Sequence, residues 1–64
     1  MREAELHARL DHHLGHGYAP MWSDTVVLTA LGHRTVSQAL ALGMPCKRIW
    51  LAAWESLELA DHDR

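Results

Sequence analysis

The sequence predicts an all-α domain: a compact, orthogonal four-helix arrangement whose last two helices form a helix-turn-helix-like corner. Three observations carry this expectation. Apolar residues recur at helical spacing, as in Leu6, Leu10 and Leu14, which repeat every four residues and line one face. Glycines fall between the apolar stretches, where helices stop. Thr35, followed three residues later by Gln38, makes a capping box that starts a helix.

Taken in order, helices are expected at about residues 2–14, 19–31, 36–42 and 45–58, in one domain spanning 1–64. The first carries the leucine stripe and ends at Gly15 and Gly17. The second tolerates Pro20 in its first turn. Its apolar residues fall on two faces, Tyr18, Trp22 and Val26 on one and Val27, Leu28 and Leu31 on the other, so it is placed centrally, with Gly32 as its stop. The third is short, turns Val36, Ala39 and Leu40 inward, and ends at Gly43. The fourth buries Ile49, Trp50, Ala53 and Leu57, with Cys46 on the same side. Residues 59–64 are polar and are expected to fray.

Composition limits the function classes. A chain of 64 residues forms one small domain and leaves little room for a concave pocket. The apolar fraction of 48% is that of a globular protein. The single cysteine, Cys46, cannot form a disulfide within the chain and suits a reducing compartment. The charged N-terminus has no apolar run behind it, and no stretch approaches the roughly 20 apolar residues of a membrane span. A cytoplasmic location is the expectation. The net charge of −2 opposes a nucleic-acid partner, but its distribution is uneven. No acid occurs between Thr25 and Trp54, where Arg34, Lys47 and Arg48 make a block of +3.

No reactive constellation is legible. Cys46 stands at a helix start beside Lys47 and Arg48, where a thiolate is favoured, but its helical angle turns it toward Trp50 and Ala53 as a buried, inert thiol. His12 and His16 are four apart, a spacing that can share a metal, yet Gly15 and Gly17 interrupt the helix around His16. His7 and His13 flank the leucine stripe as boundary residues. No carboxylate pair is placed for acid–base work and no glycine-rich loop for phosphate. The chain is therefore expected to be no enzyme and to hold no cofactor and no metal.

From Thr35 to Trp54 the spacing is that of a helix-turn-helix: Ala39 where the helices cross, Gly43 in the turn, Leu42 and Met44 bracketing it, and Ile49 and Ala52 beyond. As a recognition helix the fourth would present Pro45, Cys46, Lys47, Trp50, Leu51 and Trp54, of which only Lys47 suits a base edge. Arg34, Lys47 and Arg48 fit at most weak, salt-sensitive phosphate contact. Arg34 also fits a plainer role, hydrogen bonding to the last carbonyls of the helix before it.

A longer pattern runs through the chain: Met1-Arg2, Glu5, His13, Gly15, Tyr18, Trp22, Val27-Leu28, Leu31-Gly32-x-Arg34-Thr35-Val36, Ala39-Leu40, Gly43 and Trp50. In this order they resemble the small actinobacterial domain-of-unknown-function family 3046, over about residues 1–60. The resemblance implies a compact helical protein without assigned activity. It also implies genes near those of the recombinase that coats single-stranded DNA and its regulator, hence a link to DNA repair or its control. The chain departs from that pattern in the last helix. Pro45 and Cys46 stand where members have Asp then Pro, which removes an N-cap worth about 1 kcal/mol. Leu51 replaces a polar residue, and Trp54 a position often held by cysteine.

Those last changes mark the candidate partner-binding residues, Leu51 and Trp54. A tryptophan beside an exposed leucine has the character of a protein-binding hot spot. The competing arrangement has the tail, through Leu59, folding back over them. The expected function is a non-enzymatic protein-interaction module, docking an unknown protein or a second copy of the chain, with a weak helix-turn-helix-like DNA-binding module as the alternative.

Overall fold

Leucines one turn apart commit the first segment to a helix. In the computed structural model, which describes residues 1–64, α1 spans Glu3–Leu14. Glu3 and Glu5 in its first turn and His12 and His13 in its last complement the helix dipole. Glu5 and Arg9, four apart, pair at 2.9 Å. Leu6 and Leu10 are fully buried, and Leu14 packs at the edge of the core.

α2 spans Ala19–Thr25 with Pro20 in its first turn. It is shorter than the expected 19–31. Val26 is already extended, Leu28 pairs with Arg34 across a tight loop, and a 3-10 turn, Thr29–Leu31, follows. Two physical reasons explain the break. Thr25, Val26 and Val27 are consecutive β-branched residues, which lose side-chain freedom in a helix. A continuous helix would also place Leu31 about 180° around the axis from Trp22. Breaking it lets Trp22, Leu28 and Leu31 enter the same core, at 5%, 3% and 1% exposure. Tyr18 and Val27, assigned to apolar faces, are left in solvent at 47% and 54%.

The loop after Leu31 is sequence-specific. Gly32 and His33 both adopt left-handed conformations, φ +72° and +61°. A Cβ on Gly32 would stand 2.6 Å from the Arg34 guanidinium, which donates to the Leu31 carbonyl at 3.2 Å. Gly32 thus supplies both the backbone angle and the space for the arginine.

α3, Val36–Ala41, begins with the expected capping box: the Thr35 hydroxyl accepts from the Gln38 amide at 3.1 Å, and the Gln38 side chain accepts from the Thr35 amide at 2.9 Å. Thr35 is itself buried, so Thr35→Ala is expected to cost about 1 kcal/mol. A fall of about 4–8 °C in melting temperature checks this.

α4 spans Cys46–Ser56, and Pro45 at its N-cap makes no side-chain capping bond. It packs against α1 and α3. Ala39 on α3 and Ile49, Ala52 and Ala53 on α4 are buried, and Trp50 is the largest fully buried side chain. Leu42, expected to bracket the turn, is 62% exposed, so Met44 alone of that pair packs on the core. Cys46 is half-buried against the core.

α3 and α4 end with the same geometry. At the first end the Met44 amide donates to the Ala39 carbonyl and the Gly43 amide to that of Leu40; at the second, Leu59 donates to Trp54 and Glu58 to Glu55. Both ends need a left-handed residue: Gly43 at φ +77° and Glu58 at φ +54°. Glycine enters that region freely, whereas a residue with a Cβ is strained there. Glu58→Gly is therefore expected to stabilise the domain and Gly43→Ala to destabilise it, each by about 1 kcal/mol in urea unfolding.

The tail corrects the last expectation. Residues 59–64 do not fray; Asp61–Asp63 form a 3-10 turn held by side chains of α1 and α4.

Candidate functional site

Helical spacing alone sets the two candidate residues apart on α4. Leu51 is half-buried and stays off the core, whereas half-buried Trp54 packs against it. The turn at Glu58 sends the chain back along α4. The Trp54 indole N–H then donates to the Ala60 carbonyl at 2.8 Å, and the Arg64 guanidinium lies 4.7 Å from the Trp54 ring centre. Leu57 and Leu59 are drawn partly into the core. Of the two arrangements open in the sequence, the tail does reach Trp54.

One turn earlier, Trp50 anchors the rest of the tail. Its indole N–H is shared between the main-chain oxygens of Asp63 and Arg64, both at 3.1 Å. Two cations reach the same Arg64 oxygen: Lys47 Nζ at 3.0 Å and Arg9 Nη1 at 3.3 Å. Arg9 also covers the Trp50 ring, 5.3 Å from its centre, while Glu5 holds the guanidinium from the other side. His13 stacks on Trp50 with centroids 5.8 Å apart and planes at 28°, and His12 meets His13 edge-on. The Asp63 carboxylate lies between His13 Nε2, at 3.8 Å, and His62 Nε2, at 3.5 Å.

The seam between α1 and α4 is thus a band of donors and aromatic faces closed by an acidic segment of the same chain. Arg9, His13 and Trp50 were not singled out by sequence reasoning as a group. Arg9 and His13 stand one helical turn apart on α1, but no local period joins them to Trp50 on α4. The one usable signal was the acidic tail with Asp61 and Asp63, set against cations elsewhere.

The other candidates are dispersed. Arg34 is bonded to the Leu31 carbonyl, the plainer role open to it. Lys47 is engaged with Arg64, and Arg48 is exposed on the neighbouring position of α4. The face of α4 that a recognition helix would present includes fully buried Trp50 and tail-covered Trp54. His16, 95% exposed, pairs with Asp11 at 3.1 Å, whereas His12 packs on His13, so the pair four apart is not brought together. No three His, Cys, Asp or Glu side chains converge as metal ligands would.

Fold and seam define a small all-α domain that uses its charged and indole side chains to grip its own C-terminal segment. The chain belongs to the family described as Protein of unknown function (DUF3046), whose model matches residues 1–61. Residues 62–64, which carry the contacts to Trp50, Arg9 and Lys47, lie beyond the matched span. Neither a curated protein nor a solved structure matches the chain. No helix is long and apolar enough to cross a membrane.

Proposed function

We propose that this chain is a cytoplasmic, non-enzymatic protein-interaction module, with DNA repair or its control as the process that the family resemblance implies. The observation that supports this reading is the surface of α4. Leu51 is a half-buried aliphatic side chain with no place in the core, beside a tryptophan held by a few tail residues. Partially covered tryptophan next to free apolar surface is the composition of a binding hot spot. The occupant is a protein, either a different chain or a second copy of this one.

Leu51→Glu places a charge on that surface without entering the core. Its melting temperature is expected to stay within about 3 °C of the parent, as for other surface substitutions. Association is expected to be lost, read by light scattering for self-association and by affinity capture with mass spectrometry for another protein. A strictly monomeric chain that captures nothing, or capture unchanged in Leu51→Glu, refutes the reading.

A further inference from the structure

The Asp63 carboxylate is held between two imidazoles. His13 Nε2 lies 3.8 Å from one of its oxygens and His62 Nε2 3.5 Å from the other. Both separations exceed a hydrogen bond, so a neutral imidazole offers this carboxylate little. A protonated one offers an ion pair, and imidazole is the side chain that changes charge between about pH 5 and 8, where an aspartate stays ionised. The two histidines are not equivalent. His62 is the chain neighbour of Asp63, is 83% exposed, and stays beside it whether or not the tail is docked. His13 belongs to α1, is 18% exposed, and meets Asp63 only when the tail is seated.

Which charges move with the tail decides the sign. On α1, His13 has Arg9 one turn earlier, itself paired with Glu5 at 2.9 Å, and His12 edge-on. On α4 it has the Trp50 ring, with Lys47 further along the helix. These groups stay in place when the tail leaves, so their effects on a charged His13 cancel from the docking equilibrium. The tail brings two cations, but His62 stands in solvent and the Arg64 guanidinium lies 4.7 Å from the Trp54 ring centre, one turn beyond Trp50. It also brings Asp63, the tail charge in contact with His13, and Asp61 adds to the same sign. We propose that His13 and Asp63 form a proton-operated latch: protonation of His13 seats residues 60–64 more firmly on the α1–α4 seam, and loss of that proton slackens them. The added hold is fully present below the imidazole range and is lost as pH rises through it. Because the tail bonds to Trp54, the same proton governs how far that indole stands open beside Leu51. The latch is a property of the chain alone and does not depend on the interaction-module reading.

Hydrogen exchange of the indole N–H groups in the isotope-labelled full chain reads the latch, because those of Trp50 and Trp54 are bonded only while the tail is docked. Their protection, corrected for the intrinsic exchange rate at each pH, is expected to rise about threefold between about pH 8 and pH 5.5, the scale of a partly exposed ion pair. Trp22 on α2 serves as the reference for whole-domain opening and should not follow them. Asp63→Asn removes the charge and keeps the main-chain bonds of the tail, and should abolish the rise. His13→Gln should abolish it too; since it also removes the stacking on Trp50, Asp63→Asn is the deciding variant. His62→Gln should leave the rise in place. Protection that stays flat or falls on acidification, a rise that survives in Asp63→Asn, or one that disappears in His62→Gln overturns the latch.

Discussion

Trp50→Ala is expected to unfold the domain at room temperature. Trp50 is fully buried, at 0% exposure, between α1, the core of α4 and the tail. Truncating a buried tryptophan costs about 3–5 kcal/mol through lost transfer energy and the cavity left behind. At about 0.05–0.15 kcal/mol per residue, a chain of this length has only about 3–10 kcal/mol to lose. The same change removes the stacking surface under His13 and the ring under Arg9, and frees the main-chain oxygens of Asp63 and Arg64. Trp50→Phe separates the two contributions. It keeps most of the apolar contact and removes the N–H, so the fold should survive with the tail loosened at Asp63 and Arg64. Far-ultraviolet circular dichroism in a urea series reads the first effect, and amide hydrogen exchange at residues 60–64 reads the second. A Trp50→Ala chain within 1 kcal/mol of the parent would contradict the packing described, on the scale of buried aromatic truncations.

Leu10→Ala is the second large effect, at about 2–5 kcal/mol. Leu10 is fully buried on α1, which packs against both α2 and α4. Leu42→Ala is the internal control. It removes the same atoms from a residue that is 62% exposed, and should change stability by no more than about 0.5 kcal/mol. Two leucines in adjoining parts of one small fold are therefore expected to differ several-fold in cost. Equal costs would mean that α1 does not seat as described.

The contrast between these leucines shows where legibility ends. Leu6 and Leu10 announce their burial because a helix puts residues four apart on one face. The Thr35–Gln38 box is legible for the same reason, since both hydrogen bonds close within three residues. Leu42 brackets the turn in the helix-turn-helix spacing just as Met44 does, yet it is left 62% exposed while Met44 packs on the core. The turn at Glu58 carries no local signal at all, because glutamate is not the residue that a left-handed position favours.

By itself the chain determined four helical segments, the places where α1 and α3 stop and the cap that opens α3. Each of these rests on interactions spanning at most one helical turn, which periodicity and residue type encode directly. Tertiary structure alone decided that Leu28 and Leu31 leave the line of α2 to share one core with Trp22, and that the tail docks on Trp50 and Trp54. Those outcomes follow from competition for one small core and from contacts as far as 55 residues apart, which no window along the sequence contains.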